Sequence, residues 1–337
     1  MNSHERVSAM LEGRAAGNGA TGRAPNMPIT MMFAADQLGV PYREYATDFE
    51  KMVEAQILTA ERFGFDHVSV ISDPACEASN CGAKVQFFDN QPPAIDETAP
   101  LLADKTTLAS LAVPKPDTGR MLNRVKGVEL FSQKVGGELF IEGWIEGPCA
   151  EAADLRGINH LMIDFFDDPS FVRDLFEFNI EMAAGFARAQ VDAGVDIVGL
   201  GDAAASLVGP QIYEEFVLPY ERRLIEKLHD MGIRVRLHIC GNIGPILPHI
   251  GTLGMDMLDV DSMVSMADAR AAVGPDVTLA GNINPVEALR NSIPERIVAD
   301  IRACRAQSAP KYITAAGCEI PRDTPEENVR ALLRACE

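Results

Sequence analysis

The stretch DMGIRVRLHICG, residues 230 to 241, shows the unit from which the chain is built. A helical pattern closes on Gly232, and a β-rich run from 234 to 239 follows directly. The same order recurs in RFGFDHVSV (62–70) and DAGVDIVGL (192–200). A helix that closes on glycine just before a buried strand is typical of a parallel α/β protein.

Strand and helix patterns alternate along the whole chain. Helical periodicity indicates helices that include Phe49–Phe63, Pro169–Ala193, Pro210–Met231 and Pro294–Ala306. Eight alternations predict parallel strands with right-handed crossovers, and so a distorted (β/α)8 barrel. A doubly wound sheet is the second interpretation, but no GxGxxG motif follows the first strand. The eight predicted strands are 27–33, 67–72, 139–144, 196–201, 234–239, 256–260, 277–282 and 311–316.

The length of 337 residues suits a single barrel. We predict one domain over 1–337, with an N-terminal helical extension and a long insertion at about 74–120. Long connections of this kind either cover a site or form a surface insertion with its own helix or hairpin, and the sequence leaves both open.

Composition excludes several classes of partner. The formal net charge of −19 disfavours binding to nucleic acid or to anionic lipid. The first residues carry charges where a secretory signal needs an apolar run, and no apolar stretch is long enough for a transmembrane helix. The sequence therefore predicts a cytoplasmic enzyme that acts on small molecules.

Polar side chains stand where the predicted strands end, which is where barrel enzymes carry their active sites. Because these ends meet at one face of a barrel, we expect the side chains to form a site. The residues at these positions are Asp36, Asp73, Glu142, Trp144, Glu146, Asp202, His238, Cys240, Asp261, Asn282 and Cys318.

His238, Cys240 and Cys318 are the candidate metal ligands. Residues i and i+2 of a strand point the same way, so His238 and Cys240 can reach one ion. Cys318 follows the eighth strand, and in a closed barrel it lies within reach of that pair. One histidine and two cysteines give Zn²⁺ three protein ligands and leave a fourth position open, as in catalytic zinc sites.

Several segments resemble the uroporphyrinogen decarboxylase superfamily over the whole chain. They are EGPCAEAADLRG (146–157), GPQIYEEFVLPYERRLI (209–225), HICGNIGPILPHIGTLGMDMLDVD (238–261), LAGNINPVEAL (279–289) and AAGCEIPRDTPEENVRALL (315–333). The resemblance implies a distorted (β/α)8 barrel. Decarboxylases of this superfamily carry an arginine pair in an R-Q-A-G-R segment and a histidine in a G-H-G segment. In place of the arginine segment this chain has MMFAADQLG (31–39), and in place of the histidine it has Cys318.

The pattern of His238, Cys240 and Cys318 is similar to the other branch, the zinc-dependent corrinoid methyltransferases. This branch includes coenzyme M methyltransferases and methyl-ether demethylating enzymes. The resemblance implies Zn²⁺, a methylcobamide carried by a separate corrinoid protein, and a small thiol or O- or S-methyl substrate. Zinc deprotonates a coordinated thiol, which makes it a nucleophile for a cobalt-bound methyl group. The chain has no Asp-x-His-x-x-Gly segment for holding the corrinoid itself.

Four carboxylates are candidate catalytic groups. Asp73 corresponds to the superfamily's F-S-D aspartate, although an aspartate before proline is also an ordinary loop opener. Glu142 and Glu146 flank Trp144 on one strand face, either as an acid or fourth ligand or as salt-bridge partners. Asp202 is either a functional carboxylate or a helix cap.

Other functions and features stay open at this point. A decarboxylase-type lyase and a non-catalytic metal-binding subunit are the alternatives, and a homodimer is one expectation for the assembly. Cys76 and Cys81 form a second metal site, line the substrate channel or are incidental thiols, and the lack of a nearby histidine favours incidental thiols. Asn282 is expected to hold a neighbouring loop.

Overall fold

Seven parallel strands form one curled sheet in this computed structural model, which describes residues 1–14 and 22–337. Neighbours along the sheet follow the chain in the order β1, β4, β5, β6, β7, β8, β9, and helices separate them. This confirms the predicted barrel class. The strands are β1 (His67–Ser69), β4 (Phe140–Glu146), β5 (Ile197–Gly201), β6 (Arg234–His238), β7 (Met257–Val260), β8 (Thr278–Gly281) and β9 (Tyr312–Ile313); β2 (Val85–Gln86) and β3 (Ala94–Ile95) form a separate hairpin.

The predicted first strand at 27–33 is wrong as a regular strand. Only Asn26 forms a bridge, with Thr314, and a helix already begins at Met32. The flanking Pro25 and Pro28 have no N–H to donate, so a full ladder cannot form here.

The same short segment nevertheless closes the barrel. On one side Met27 N donates to Thr314 O over 2.9 Å, and on the other Asp66 N donates to Asn26 O over 2.8 Å. Residues 25 to 27 therefore fill the eighth position, between β9 and β1.

Helices pack around the sheet, and two predicted ones have the expected bounds. Phe49–Phe63 begins after Asp48, whose side chain accepts the N–H of Glu50. It ends at Gly64 in the left-handed conformation. The α-helices are α1 (Ser3–Leu11), α2 (Met32–Leu38), α3 (Tyr42–Thr47), α4 (Phe49–Phe63), α5 (Cys76–Cys81), α6 (Gly119–Val135), α7 (Pro148–Arg156), α8 (Ile158–Asp167), α9 (Pro169–Ala193), α10 (Gly209–Ile212), α11 (Leu218–Asp230), α12 (Leu247–Ile250), α13 (Met266–Val273), α14 (Pro294–Ser308) and α15 (Glu326–Cys336).

Helix α1 closes the end of the barrel at which the strands begin. Its Val7 and Met10 are buried in one cluster with Phe140 and Ile197, the first residues of β4 and β5. His4 N donates to the carbonyl of residue 138, just before β4. The predicted N-terminal extension thus seals one end, and the opposite end is left for a site.

The predicted insertion at about 74–120 carries structure of its own. It contains α5, the β2–β3 hairpin and a 3₁₀ helix at Lys105–Ser110, and α6 begins at Gly119. No helix in the described part of the chain is long and apolar enough to cross a membrane. The single-domain organisation stays a prediction.

Replacement of Met27 by alanine tests the closure of the barrel. Met27 is fully buried, so Met27→Ala should lower the free energy of unfolding by about 3 kcal/mol, through lost burial and a residual cavity. The same change at the exposed Met263 is the control and should cost less than about 0.5 kcal/mol. Urea unfolding measures both, and equal losses would contradict the closing role of residues 25 to 27.

Candidate metal centre

One histidine and two cysteines meet at the open end of the barrel. His238 Nε2 lies 3.0 Å from Cys240 Sγ and 3.8 Å from Cys318 Sγ, and the two sulfurs are 3.8 Å apart. The sulfur separation is that of free thiols, not of a disulfide. Among the described residues, no other three His, Cys, Asp or Glu side chains bring their donor atoms within 4.8 Å of one another.

The loops hold these side chains from two directions. His238 ends β6, and Cys240 stands two residues further, where Gly241 N donates to Asp261 Oδ2 over 2.8 Å. Cys318 arrives on the loop after β9. The preceding Gly317 approaches this region closely, because a Cβ there would lie 2.6 Å from Ser262 N.

The three groups share their protons. The hydrogen bond from Cys240, with His238 acting in the same direction, lowers the pKa of Cys318 to about 4. That bond and burial raise the pKa of Cys240 in turn. Burial opposes a charged imidazole, but the charge on Cys240 and contact with Asp259 keep the pKa of His238 above its usual value. One sulfur is thus readily a thiolate, the form that binds metal ions.

A chain of buried charges supports the imidazole from inside the barrel. Asp259 Oδ2 lies 3.5 Å from His238 Nδ1, and it accepts from Arg236 Nε at 2.8 Å. The other side of Arg236 donates to Glu142 Oε1 at 3.0 Å. The parallel register of β6 and β7 pairs His238 with Asp259 directly. His238 Nδ1 forms no hydrogen bond with the described residues but lies within ion-pair range of Asp259 Oδ2, while Nε2 is turned toward the two cysteines.

A cavity of about 150 Å³ opens onto the three donors. Its wall is largely apolar, and the carboxylates of Asp73, Glu146 and Glu319 stand at its edge. The lining residues are Ile29, Met31, Ile71, Asp73, Pro74, Trp144, Glu146, Gly201, Ala203, His238, Cys240, Cys318 and Glu319.

Glu146 connects the cavity with a group of buried acids. Its Oε1 accepts from Trp144 Nε1 at 2.9 Å, and its backbone N–H donates to Glu77 Oε1 at 2.9 Å. Burial and the charge of Glu77 raise the pKa of Glu146 well above its usual value. Glu151 lies in the same group, with neither carboxyl oxygen hydrogen-bonded. Glu146 and Glu151 therefore keep their protons to higher pH than exposed carboxyl groups do.

Asp73 reaches the edge of the cavity with its charge already neutralised. Both of its oxygens accept from the Arg120 guanidinium, and Oδ1 also accepts from Ala75 N at 3.1 Å. Ser72 Oγ donates to Oδ2 at 2.7 Å. Its acceptor positions are thus occupied from within the protein.

Two other predicted carboxylates lie outside the cavity. Asp202 accepts the N–H groups of Cys149 (3.3 Å) and Ala150 (2.6 Å), so it caps α7. The sequence predicts that Asp202 could cap the segment that follows it. The helix that it caps is instead α7, which belongs to the preceding βα unit. Glu142 is fully buried beneath the site, against Arg236.

The remaining strand-end residues hold loops. Asn282 Nδ2 donates to the carbonyl oxygens of Val264 (2.6 Å) and Asp261 (3.2 Å), as expected from the sequence. Asp36 lies on α2 and is bound by Arg322, with Nε 2.9 Å from Oδ2.

Cys76 and Cys81 lie apart from the metal centre. Cys76 is fully buried, and Cys81 Sγ lies 3.4 Å from Met182 Sδ. Neither belongs to a group of three close donors within the described ranges.

Comparison with known proteins agrees with this fold. The family model described as uroporphyrinogen decarboxylase (URO-D) matches residues 5–337. The chain belongs to the uroporphyrinogen decarboxylase family. A solved methyltransferase from Methanosarcina mazei has the same fold, with a TM-score of 0.89, 23% identity and coverage of 99% of this chain and 98% of that one.

Curated relatives include methyltransferases and decarboxylases. Methylcobamide:CoM methyltransferase MtbA of Methanosarcina mazei is 28% identical over 94% of this chain and 93% of its own length. Methylated-thiol–coenzyme M methyltransferase of the same organism is 25% identical over 86% of this chain and 77% of its own length. Uroporphyrinogen decarboxylase of Microcystis aeruginosa is 27% identical over 91% of each chain.

Glu319, which lines the cavity, and the buried pair Arg236 and Asp259 were missed by sequence reasoning. Arg236 and Asp259 lie inside strands, whereas the predicted site residues were taken from the ends of strands. A signal was present, because a charged residue in the middle of an apolar strand needs a buried partner. Arg236 also shares the inward face of β6 with His238, two residues away.

Glu151 gives a test of the buried acids. Burial, with the charges of Glu77 and Asp154, raises the pKa of Glu151 well above its usual value, so the folded state keeps a proton that the unfolded state loses above about pH 4.5. Stability therefore falls as pH rises from that point. Glu151→Gln, which carries no titrating proton, should increase the free energy of unfolding more at pH 8 than at pH 5.

Urea unfolding at the two pH values measures this difference. The exposed Glu181 on α9 is the matched control, and Glu181→Gln should change stability by less than about 0.5 kcal/mol at either pH. A Glu151→Gln effect of equal size at both pH values would show that Glu151 is ionised in the folded protein.

Proposed function

We propose that this chain is a zinc-dependent methyltransferase that moves a methyl group between a corrinoid protein and a small thiol or an O- or S-methylated substrate. The observation that carries the proposal is the meeting of His238, Cys240 and Cys318 at the floor of a cavity. Support also comes from relatives named methylcobamide:CoM methyltransferases, which align with nearly the whole chain.

The donor set suits zinc. Two thiolates and a neutral imidazole are ligands that Zn²⁺ prefers, and a tetrahedral ion held by three side chains has one position left for a substrate. When bound, zinc would supply Lewis acidity to a thiol, ether oxygen or thioether sulfur in that position. His238, Cys240 and Cys318 would hold the ion, and Asp259 would fix the imidazole that binds it.

Glu146 is the group that we assign to proton transfer. It lines the cavity, and its raised pKa lets it hold a proton for a leaving alkoxide or thiolate. The contacts of Asp73, Glu142 and Asp202 assign them to positioning: Asp73 anchors Arg120, Glu142 anchors Arg236, and Asp202 caps α7.

Decarboxylation of uroporphyrinogen fits the site less well. A substrate with many carboxylates needs cationic partners, and segment 31–39 has none. A non-catalytic metal subunit would need no cavity beside the ligands. Methyl transfer therefore accounts for the site best.

The rim of the open end supplies a surface for the corrinoid protein. Leu207, Met263 and Val286 follow β5, β7 and β8, so they lie at the end of the barrel where the strands finish. They are 66%, 66% and 37% exposed, and large exposed apolar side chains around a site favour a protein partner.

Zinc content tests the metal centre. The purified protein should contain about one zinc per chain, and Cys240→Ser and Cys318→Ser should each lose most of it, because two donors hold the ion far less tightly than three. Cys304→Ser is the matched control and should keep its zinc, since Cys304 lies outside the cluster. Full zinc in either cluster variant would refute the proposed ligand set.

A change at the rim tests the partner. Leu207→Asp should slow methyl transfer with a methylated corrinoid protein at least tenfold, because a charge then faces the apolar contact. Transfer from free methylcobalamin needs no docking surface and should stay within twofold of the unchanged protein. Equal losses with both methyl donors would place the defect in the site and not in docking.

A further inference from the structure

The cavity beside the metal ligands has an apolar wall. Ile29, Ile71 and Trp144 form a buried cluster of their own, and Met31 packs against it. All four line the cavity. The reacting atom of a substrate would lie at the three ligands. The rest of the substrate would then contact aliphatic side chains and the indole ring of Trp144.

The cavity lacks a group that could neutralise an anion. Among the residues that the structure describes, neither lysine nor arginine lines it, and its ionisable members outside the ligand set are the carboxyl groups of Asp73, Glu146 and Glu319. The Trp144 N–H is already donated to Glu146. A sulfonate or carboxylate on the substrate would be desolvated here without a cationic partner, which is strongly unfavourable.

Two buried arginines that contact Asp73 are bound to groups of the protein. Arg120 binds both oxygens of Asp73. Arg124 donates to the carbonyl of Asp73 at 2.5 Å and lies 3.8 Å from a Glu77 carboxylate oxygen. Nε and Nη1 of Arg124 are buried without hydrogen-bond partners among the described residues, as is Nε of Arg120, but neither arginine lines the cavity.

We infer that the site accepts a small uncharged thiol, or the corresponding methyl thioether or ether, and rejects substrates with an anionic head group. This inference rests on the proposed function and narrows its substrate class. It separates this chain from relatives whose names specify coenzyme M, a thiol that carries a sulfonate.

Thiol binding to the Co²⁺-substituted protein tests the inference without any turnover. The panel consists of 1-propanethiol, 2-mercaptoethanol and 2-mercaptoethanesulfonate, whose far ends are a methyl group, a neutral hydroxyl group and a sulfonate anion. Binding is followed by the change in the Co²⁺ absorption spectrum. We expect the sulfonate to bind at least 100-fold more weakly than 1-propanethiol.

A cation added at the mouth should reverse part of this preference. Ala203 lines the cavity and is exposed, so Ala203→Lys should strengthen sulfonate binding at least tenfold. Ala203→Gln is the matched control and should leave it unchanged. Neither variant alters a metal ligand.

The outcomes separate the two proposals. If all three thiols bind within threefold of one another, or the sulfonate binds most tightly, the inferred substrate class is overturned while the open metal site stands. If Arg124→Met then loses tight binding of the sulfonate, Arg124 is the cation that binds the sulfonate group. If no thiol changes the spectrum, the proposed function fails and the inference fails with it.

Discussion

Closure of the barrel is the constraint on which the site depends. His238 and Cys318 follow strands that stand three places apart in the sheet. In a flat sheet these positions would be about 14 Å apart. Curvature, completed by the hydrogen bonds of residues 25 to 27, brings Cys318 Sγ to 3.8 Å from His238 Nε2. Separate ligands thus become one donor set only because the sheet closes on itself.

A second requirement is that the imidazole keeps one orientation. The buried chain from Glu142 through Arg236 to Asp259 ends at His238 Nδ1. Buried ion pairs contribute little net stability, because desolvation offsets their attraction. Their value here is directional, since they fix which ring nitrogen faces the two sulfurs. These buried charges lie beneath the metal ligands. Their position explains why the interior of this barrel carries charges where a simpler barrel has only aliphatic side chains.

Much of the fold and the ligand cluster could be predicted because both follow from periodic patterns. Glycine-closed helices before apolar runs indicated the parallel alternation, and the H-x-C spacing placed two donors at one strand end. The first strand could not be predicted correctly from composition, because its pairing is limited by Pro25 and Pro28. The roles of Asp202 and Asp259 depend on contacts between different βα units, and such contacts depend on the register of neighbouring strands, which one sequence does not display.

The most direct test of the central claim is X-ray absorption at the zinc edge, recorded with and without a saturating uncharged thiol. Three protein ligands and an open position predict two sulfur neighbours and one imidazole nitrogen, with a light atom completing the shell. Addition of thiol should replace that light atom by a third sulfur. A shell of four protein donors that thiol leaves unchanged would contradict an open catalytic site.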